Sequence, residues 1–173
     1  MIRPANAVDL TYLPGIEVAA GEPFRTLGMT AVADDDPPTR AELEHALHAG
    51  RLWVATASGP TPVGYAIADV IDGCGHVEQV SVDPRWAGRR LGAALIDAIE
   101  EWARALGYDV LTLTTFAEVP WNAPYYGRLG FEPMADRDIG PELRAVRVRE
   151  AAHGLDVWPR IAMRRRLRPA TAG

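Results

Sequence analysis

Seventeen residues, His76 to Gly92, hold the side chains and backbone best suited to chemistry. They read His-Val-Glu-Gln-Val-Ser-Val-Asp-Pro-Arg-Trp-Ala-Gly-Arg-Arg-Leu-Gly. The first seven alternate as a strand does, so His76, Glu78, Val80 and Val82 share one face and Val77, Gln79 and Ser81 the other. Asp83-Pro84 ends the strand, because proline has no N–H for a ladder. The loop that follows is cationic (Arg85, Arg89, Arg90), contains Gly88, and leads into a helix whose first turn holds Gly92. A helix N-terminus offers unpaired N–H groups and a positive dipole end, which with the arginines suits an anion such as a pyrophosphate. An anion cradle beside a strand that carries two titratable groups points to a phosphate-bearing cofactor and to an enzyme.

The surrounding elements must hold that strand and loop in place. Residues 2–5 read as a short edge strand, where Pro4 is tolerated. Asn6 or Asp9 is placed to cap a helix bearing Leu10, Leu13, Ile16, Val18 and Ala20. Residues 21–38 are acidic and rich in breakers, a loop or a broken helix. Thr39 and Glu42 form a capping box for a helix that ends at Gly50. Strands follow at 51–57 and 63–71, joined to the central strand by a hairpin turn at Asp72-Gly73-Cys74-Gly75. Leu91, Leu95, Ala98, Ile99, Trp102 and Leu106 form the apolar stripe of the next helix. A strand at 109–116 completes a βαβ crossover, which makes the two strands parallel. Asn122, with Pro124 in the first turn, is placed to cap a short helix. Phe131 begins another strand, residues 140–154 form a helix, and 158–167 the last strand, followed by an arginine-rich tail.

Composition narrows the function. The 173 residues suit one domain, 1–173, large enough for a real core, and 48% hydrophobic with 24% charged residues is ordinary for a globular protein. No apolar run reaches the ~20 residues that span a bilayer, and residues 1–6 lack a signal-peptide core, so a cytoplasmic protein is expected. The single cysteine, Cys74, allows no internal disulfide and reads as a neutral turn cysteine. A net charge of −5 argues against general nucleic-acid binding. The charge is uneven: residues 1–50 carry three arginines against eight acids, residues 144–168 eight arginines against Glu150 and Asp156. The arginine-rich part reads as a surface helix and an edge strand that balance the acidic half. His45, His48 and the Glu150/His153 pair read as solvated helix faces, with no metal-ligand arrangement around them.

These features, in this order, resemble the GNAT superfamily of N-acetyltransferases over residues 2 to about 135. Val82-Asp83-Pro84 and Gly88-Arg89-Arg90-Leu91-Gly92 resemble the family's acyl-CoA pyrophosphate loop. Tyr125-Tyr126-Gly127-Arg128-Leu129-Gly130-Phe131 resembles its Phe-Tyr-Glu-Lys-Leu-Gly-Phe signature. The element order, helices then a β-meander then strand-loop-helix-strand, is the third likeness. The family loop is Q/R-x-x-G-x-G/A. Here Ala87 and Arg90 stand at its first and fourth positions, and Gly92 keeps the sixth. Arg90 still has a backbone N–H, so the cradle survives there if no positive φ is required. The family's frequent asparagine seven residues before the tyrosine is Val119 here, and its role is not carried over.

The resemblance implies a mixed α/β (α+β) fold: a largely antiparallel sheet splayed at a parallel βαβ crossover, with helices on both faces. It implies acetyl transfer from acetyl-CoA, without a metal, to a primary amine of a small molecule or peptide. Tyr126 then protonates the leaving thiolate, since an ordinary tyrosine (pKa about 10) holds its proton at neutral pH. The attacking amine needs a base, Glu78 or His76. Glu78 is favoured as nearer the thioester end, and His76, next to the turn, is expected to be solvated; Glu118 is a further candidate. The Val80 amide maps to the oxyanion donor and Val82 to the partner of the pantetheine arm. Gly88, Arg89, Arg90, Leu91 and Gly92 map to the pyrophosphate, and Arg85 or Arg89 to the other cofactor phosphate. Asn122 and Trp121 fall where cofactor and acceptor channels meet, Trp121 as a pocket wall or a core plug. A homodimer is left open. So is a non-catalytic acyl-CoA-binding module on the same fold; a dinucleotide oxidoreductase lacks its Gly-x-Gly-x-x-Gly turn here.

Overall fold

The structure is a computed structural model that describes residues 1–167. Its strands are β1 (Ile2–Pro4), β2 (Leu52–Thr56), β3 (Pro62–Ile71), β4 (Cys74–Val82), β5 (Val110–Phe116), β6 (Glu132–Pro133) and β7 (Arg160–Arg166). Its α-helices are α1 (Leu13–Gly21), α2 (Thr30–Ala33), α3 (Arg40–His48), α4 (Leu91–Ala105), α5 (Ala123–Arg128) and α6 (Pro141–Ala152). The strand order is β1-β2-β3-β4-β5-β7-β6. The pairs β1–β2, β2–β3, β5–β7 and β6–β7 are antiparallel, and β4–β5 is parallel. This is the mixed, largely antiparallel sheet expected. No helix among the described residues is long and apolar enough to cross a membrane.

The described residues pack as two compact units, one of Met1–Ala68 with Gln79–Ile99 and one of Asp69–Glu78 with residues 100–167. In the first, Leu10, Leu13, Ile16, Leu43 and Ala46 pack on Leu52, Val54, Tyr65 and Ile67. The capping box of α3 is present: the Glu42 N–H donates to Thr39, and the Thr39 N–H donates to the Glu42 carboxylate at 2.7 Å. The predicted cap of α1 is not. Asn6 Oδ1 accepts from the Val8 and Asp9 N–H groups, and the buried Asp9 carboxylate pairs with Arg3 at 2.7 and 2.8 Å. These bonds fix a single 3₁₀ turn, Asp9–Thr11, before α1 begins without a side-chain cap. Val18, read as part of the apolar stripe, is exposed.

In the second unit Ile71, Leu143 and Ala162 form a core, with Met134, Ile139 and Val146 against it. The hairpin turn has φ 51° at Asp72 and 69° at Gly73, the two positive values a type I′ turn requires. Asp72 has a second task, since its carboxylate accepts the Glu142 and Leu143 N–H groups at 2.9 Å each and so caps α6 from the turn. Replacing Asp72 by Asn keeps an acceptor, whereas Ala removes it. Asp72→Ala is therefore expected to lower the urea unfolding free energy by about 1–2 kcal/mol relative to Asp72→Asn.

Two expectations about the arginine-rich part are overturned. β7 is no edge strand: it lies between β5 and β6, and the edge belongs to the two-residue β6. The Glu150 face of α6 is not solvated either. Its half-buried carboxylate accepts from Arg147 (2.6 Å), Arg160 (3.1 and 3.2 Å) and Thr114. Arg165 pairs with Glu100 on α4, and Arg164 with Glu132 and Asp138. Arginines can line an interior strand because carboxylates from four elements of this unit meet them. Arg168 lies outside the described residues.

Candidate active site

In the first unit the end of β4 runs into the cationic loop. Val80 and Val82 are half-buried and Ser81 is buried. The buried Asp83 carboxylate accepts the Arg85 N–H at 2.9 Å and grips its guanidinium at 2.5 to 3.0 Å, so Asp83 folds the strand end into a 3₁₀ turn, Pro84–Trp86. That guanidinium holds the Asp83 carboxyl below its ordinary range, even against burial. Arg85 is thus already engaged within the loop. The Arg89 guanidinium stacks 4.7 Å above the Trp86 ring. Ala87 to Arg90 are exposed, and α4 starts at Leu91.

The backbone of this loop settles a point the sequence left conditional. Gly88 has φ 76° and Arg90 φ 58°. The fourth position of the loop therefore does adopt the left-handed conformation that suits glycine, with an arginine in it. Left-handed backbone costs an ordinary L-residue about 1–2 kcal/mol. Arg90→Gly is accordingly expected to raise stability by roughly 1 kcal/mol, less the entropy glycine adds to the unfolded chain. Urea unfolding checks this: a loss instead would mean that the arginine side chain more than offsets its backbone strain.

In the second unit β4 begins beside β5. The parallel register comprises Gly75↔Leu111 and His76↔Thr112. His76 is not solvated, contrary to expectation: it is 3% exposed, and its Nδ1 lies 2.8 Å from Thr112 Oγ1. Burial pushes the imidazole down to about 4, although Asp69 and Glu150 pull the other way. His76 is therefore neutral at physiological pH. Glu78, two residues on, is exposed. Alternation predicts the shared face but not this difference, which arises from what covers each position. Cys74 is half-buried at the start of β4, and burial, with Asp72 nearby, raises its thiol pKa. This suits the neutral role expected of it.

The aromatic signature lies on α5. The Tyr126 N–H donates to the Asn122 carbonyl at 2.9 Å, and the Phe131 N–H donates to the Tyr126 carbonyl at 3.1 Å. The Tyr126 ring packs edge-on to Tyr125 (5.6 Å) and Phe131 (6.0 Å). Burial pushes the Tyr126 phenol up to about 12, with Tyr125 adding and Arg160 opposing. Tyr125 is half-buried. Asn122 stands at the N-cap position of α5 without capping it: its side-chain oxygen accepts from Thr115 Oγ1 at 3.0 Å. Trp121 is 37% exposed, so it is no core plug, and Glu118 is exposed.

On α1 lies Glu17, which the sequence marks only as one of the acids of the N-terminal half. Glu17 accepts from Tyr65, Gln79 and Ser81, residues 48 to 64 positions away in sequence. One signal was available: Glu17 follows Leu13 by four residues and so shares a helix side with a fully buried leucine.

A model of the acetyltransferase (GNAT) family matches residues 20–131, more than half of the chain. The fold and the strand-loop-helix thus define an acyltransferase-type scaffold, and the chain belongs to the GNAT acetyltransferase family. Solved structures agree on the fold. A Mycobacterium tuberculosis protein in complex with CoA and NLQ is similar over 97% of this chain and 99% of its own, at a TM-score of 0.70 and 19% identity. The ribosomal-protein-S18-alanine N-acetyltransferase of Escherichia coli is similar over 100% and 97%, at 0.65 and 19%. N-acetylglutamate synthase of Neisseria gonorrhoeae, complexed with coenzyme A and N-acetyl-glutamate, matches 97% of this chain and 35% of its own, at 0.68 and 19%. An isoprenyl transferase of Listeria innocua is 33% identical over 75 residues, 43% of this chain, and the match spans 30% of that protein's length.

Proposed function

We propose that the chain is an acetyl-CoA-dependent N-acetyltransferase acting on a primary amine of a small molecule or peptide, as a single domain in the cytoplasm. The observation that carries this reading is the loop from Asp83 to Gly92, whose left-handed turns at Gly88 and Arg90 lead into the N-terminus of the 15-residue α4. Such a turn exposes successive backbone N–H groups, which suits a pyrophosphate. Family membership and CoA-bound structural neighbours support the same cofactor.

In this reading Gly88, Arg89, Arg90, Leu91 and Gly92 hold the pyrophosphate, and Val82 pairs with the pantetheine arm through its backbone. Arg89 or Arg85 serves the remaining phosphate; Arg89 is the better placed, because Arg85 is held by Asp83. The amine nitrogen attacks the thioester carbon, and negative charge gathers on the oxygen facing the Val80 N–H. The carbon–sulfur bond then breaks, and the thiolate takes the Tyr126 proton. A phenol at about 12 is always protonated when needed and regains its proton readily. Glu78 takes the amine proton, directly or through water, because it is open to solvent. The buried, neutral His76 is the weaker candidate for that task. Asn122 orders the start of α5, and through it Tyr126, by way of its carbonyl.

Release of free CoA thiol tests the reading, measured with acetyl-CoA across a panel of amines, aminoglycosides, amino acids and peptides. Amine-dependent release is expected for at least one class. CoA binding with no acyl transfer to any class would favour a non-catalytic acyl-CoA module.

A further inference from the structure

Val80 lies between two residues whose side chains are tied to the same carboxylate. Glu17 Oε1 accepts from Gln79 Nε2 at 2.9 Å, and Oε2 accepts from Ser81 Oγ at 2.5 Å. Gln79 Nε2 also donates to Ser81 Oγ at 2.8 Å, which closes the triangle. A third donor reaches Glu17 from β3, the hydroxyl of the fully buried Tyr65 at 2.6 Å. A carboxylate only accepts, and three donors converge on this one from two strands. All three are neutral, and no ion pair joins Glu17 to a cation among the described residues. The arrangement is therefore a geometric clamp, not a charge pair.

A second feature fixes the same peptide from the sheet side. Gly64 lets β3 press against the end of β4: a Cβ there would sit 2.9 Å from the Ser81 carbonyl oxygen and 3.1 Å from Val82 Cγ2. The Gln79–Val82 backbone is thus gripped through side chains by α1 and pressed by the backbone of β3. The Val80 side chain takes no part in either contact. What the clamp holds still is the Val80 peptide.

We infer that Glu17 is a positioning residue for acyl transfer: it fixes Gln79 and Ser81, and so aims the Val80 N–H at the thioester oxygen. This rests on the assignment of Val80 as oxyanion donor. A donor helps the transition state only if its direction is set before the reaction. A misplacement of about 1 Å, even from a distant change, can cost on the order of 10²-fold in rate. No acceptor is needed to test this, because the donor already touches the thioester in the binary complex.

The test is difference infrared spectroscopy of acetyl-CoA labelled with ¹³C at the carbonyl, bound to the full chain, beside calorimetry of CoA itself. In the wild type the bound carbonyl stretch should move to lower frequency than in free acetyl-CoA. In Glu17→Ala, and in the milder Ser81→Ala, it should return most of the way to the free value while CoA affinity changes less than about threefold. Ser81→Ala keeps the inference testable if Glu17→Ala does not fold. A full shift retained in both variants overturns the inference. A wild type that binds CoA but shows no carbonyl shift overturns it at a different point, since Val80 is then not the donor. If CoA is not bound at all, the acyl-CoA reading itself fails.

Discussion

Replacing Tyr126 by Phe should lower kcat by about 10²-fold and leave the KM for acetyl-CoA nearly unchanged. The substitution removes one hydroxyl. The edge-on packing on Tyr125 and Phe131 and the backbone bonds at Asn122 and Phe131 all remain. A change confined to kcat then isolates proton delivery to the leaving thiolate. The raised phenol pKa makes a further distinction. At about 12, Tyr126 keeps its proton through the range in which alkylamines, near 10, lose theirs. The alkaline side of the wild-type rate profile should therefore show no loss of activity from Tyr126 until the pH exceeds that range. An unchanged kcat in the variant would remove the hydroxyl from the reaction.

The second large effect is on stability, and it comes from His76. Its unfolded pKa is about 6.5, and burial lowers the folded value to about 4. The unfolded chain thus binds a proton that the folded chain refuses between these values. The stabilisation is fully present above pH 6.5 and is lost as pH falls toward 4. The gap corresponds to roughly 3 kcal/mol at most. Urea unfolding free energies across pH 7.5 to 4 should fall more steeply for wild type than for His76→Gln, which cannot titrate. At pH 7.5 the variant should itself be less stable by about 1 kcal/mol, from the loss of the bond to Thr112. Parallel pH curves for the two proteins would mean that His76 is not shielded as the structure has it.

The two halves of the β4 segment differ in how far the sequence reveals them. The strand, the Asp83-Pro84 stop and the helix from Leu91 follow from local rules, and all three are present. So is the parallel crossover, because strand, helix and strand leave few other topologies. The backbone at Arg90 was not legible, because arginine hides the positive φ that glycine would advertise. Burial of His76 was not legible either: period-two alternation gives a face but not its cover. The interior place of β7 was concealed by its own arginines. Their partners, Glu100 and Glu150, lie on helices 65 and 10 residues away in sequence from Arg165 and Arg160. The Glu17 clamp was missed for the same reason, since a contact across 62 residues leaves no local pattern beyond an acid on an apolar helix side.

Those long-range contacts change the division of labour in the central strand. Sequence spacing puts both His76 and Glu78 forward for the base, with Glu78 favoured as nearer the thioester end. In the fold one is a buried, neutral side chain bonded to a threonine, and the other is open to water. The base of the proposed reaction is therefore sought at Glu78, and the interest of His76 shifts to stability.

Isothermal titration calorimetry of the full chain with acetyl-CoA tests the central claim most directly, because every assigned role depends on that cofactor. Saturable binding to one site per chain is expected, weakened at least tenfold when Gly92 is replaced by Asp, which sets a negative charge among the N–H groups at the start of α4. Absence of heat and of saturation with wild type would contradict it, as would equal affinity for the Gly92→Asp chain.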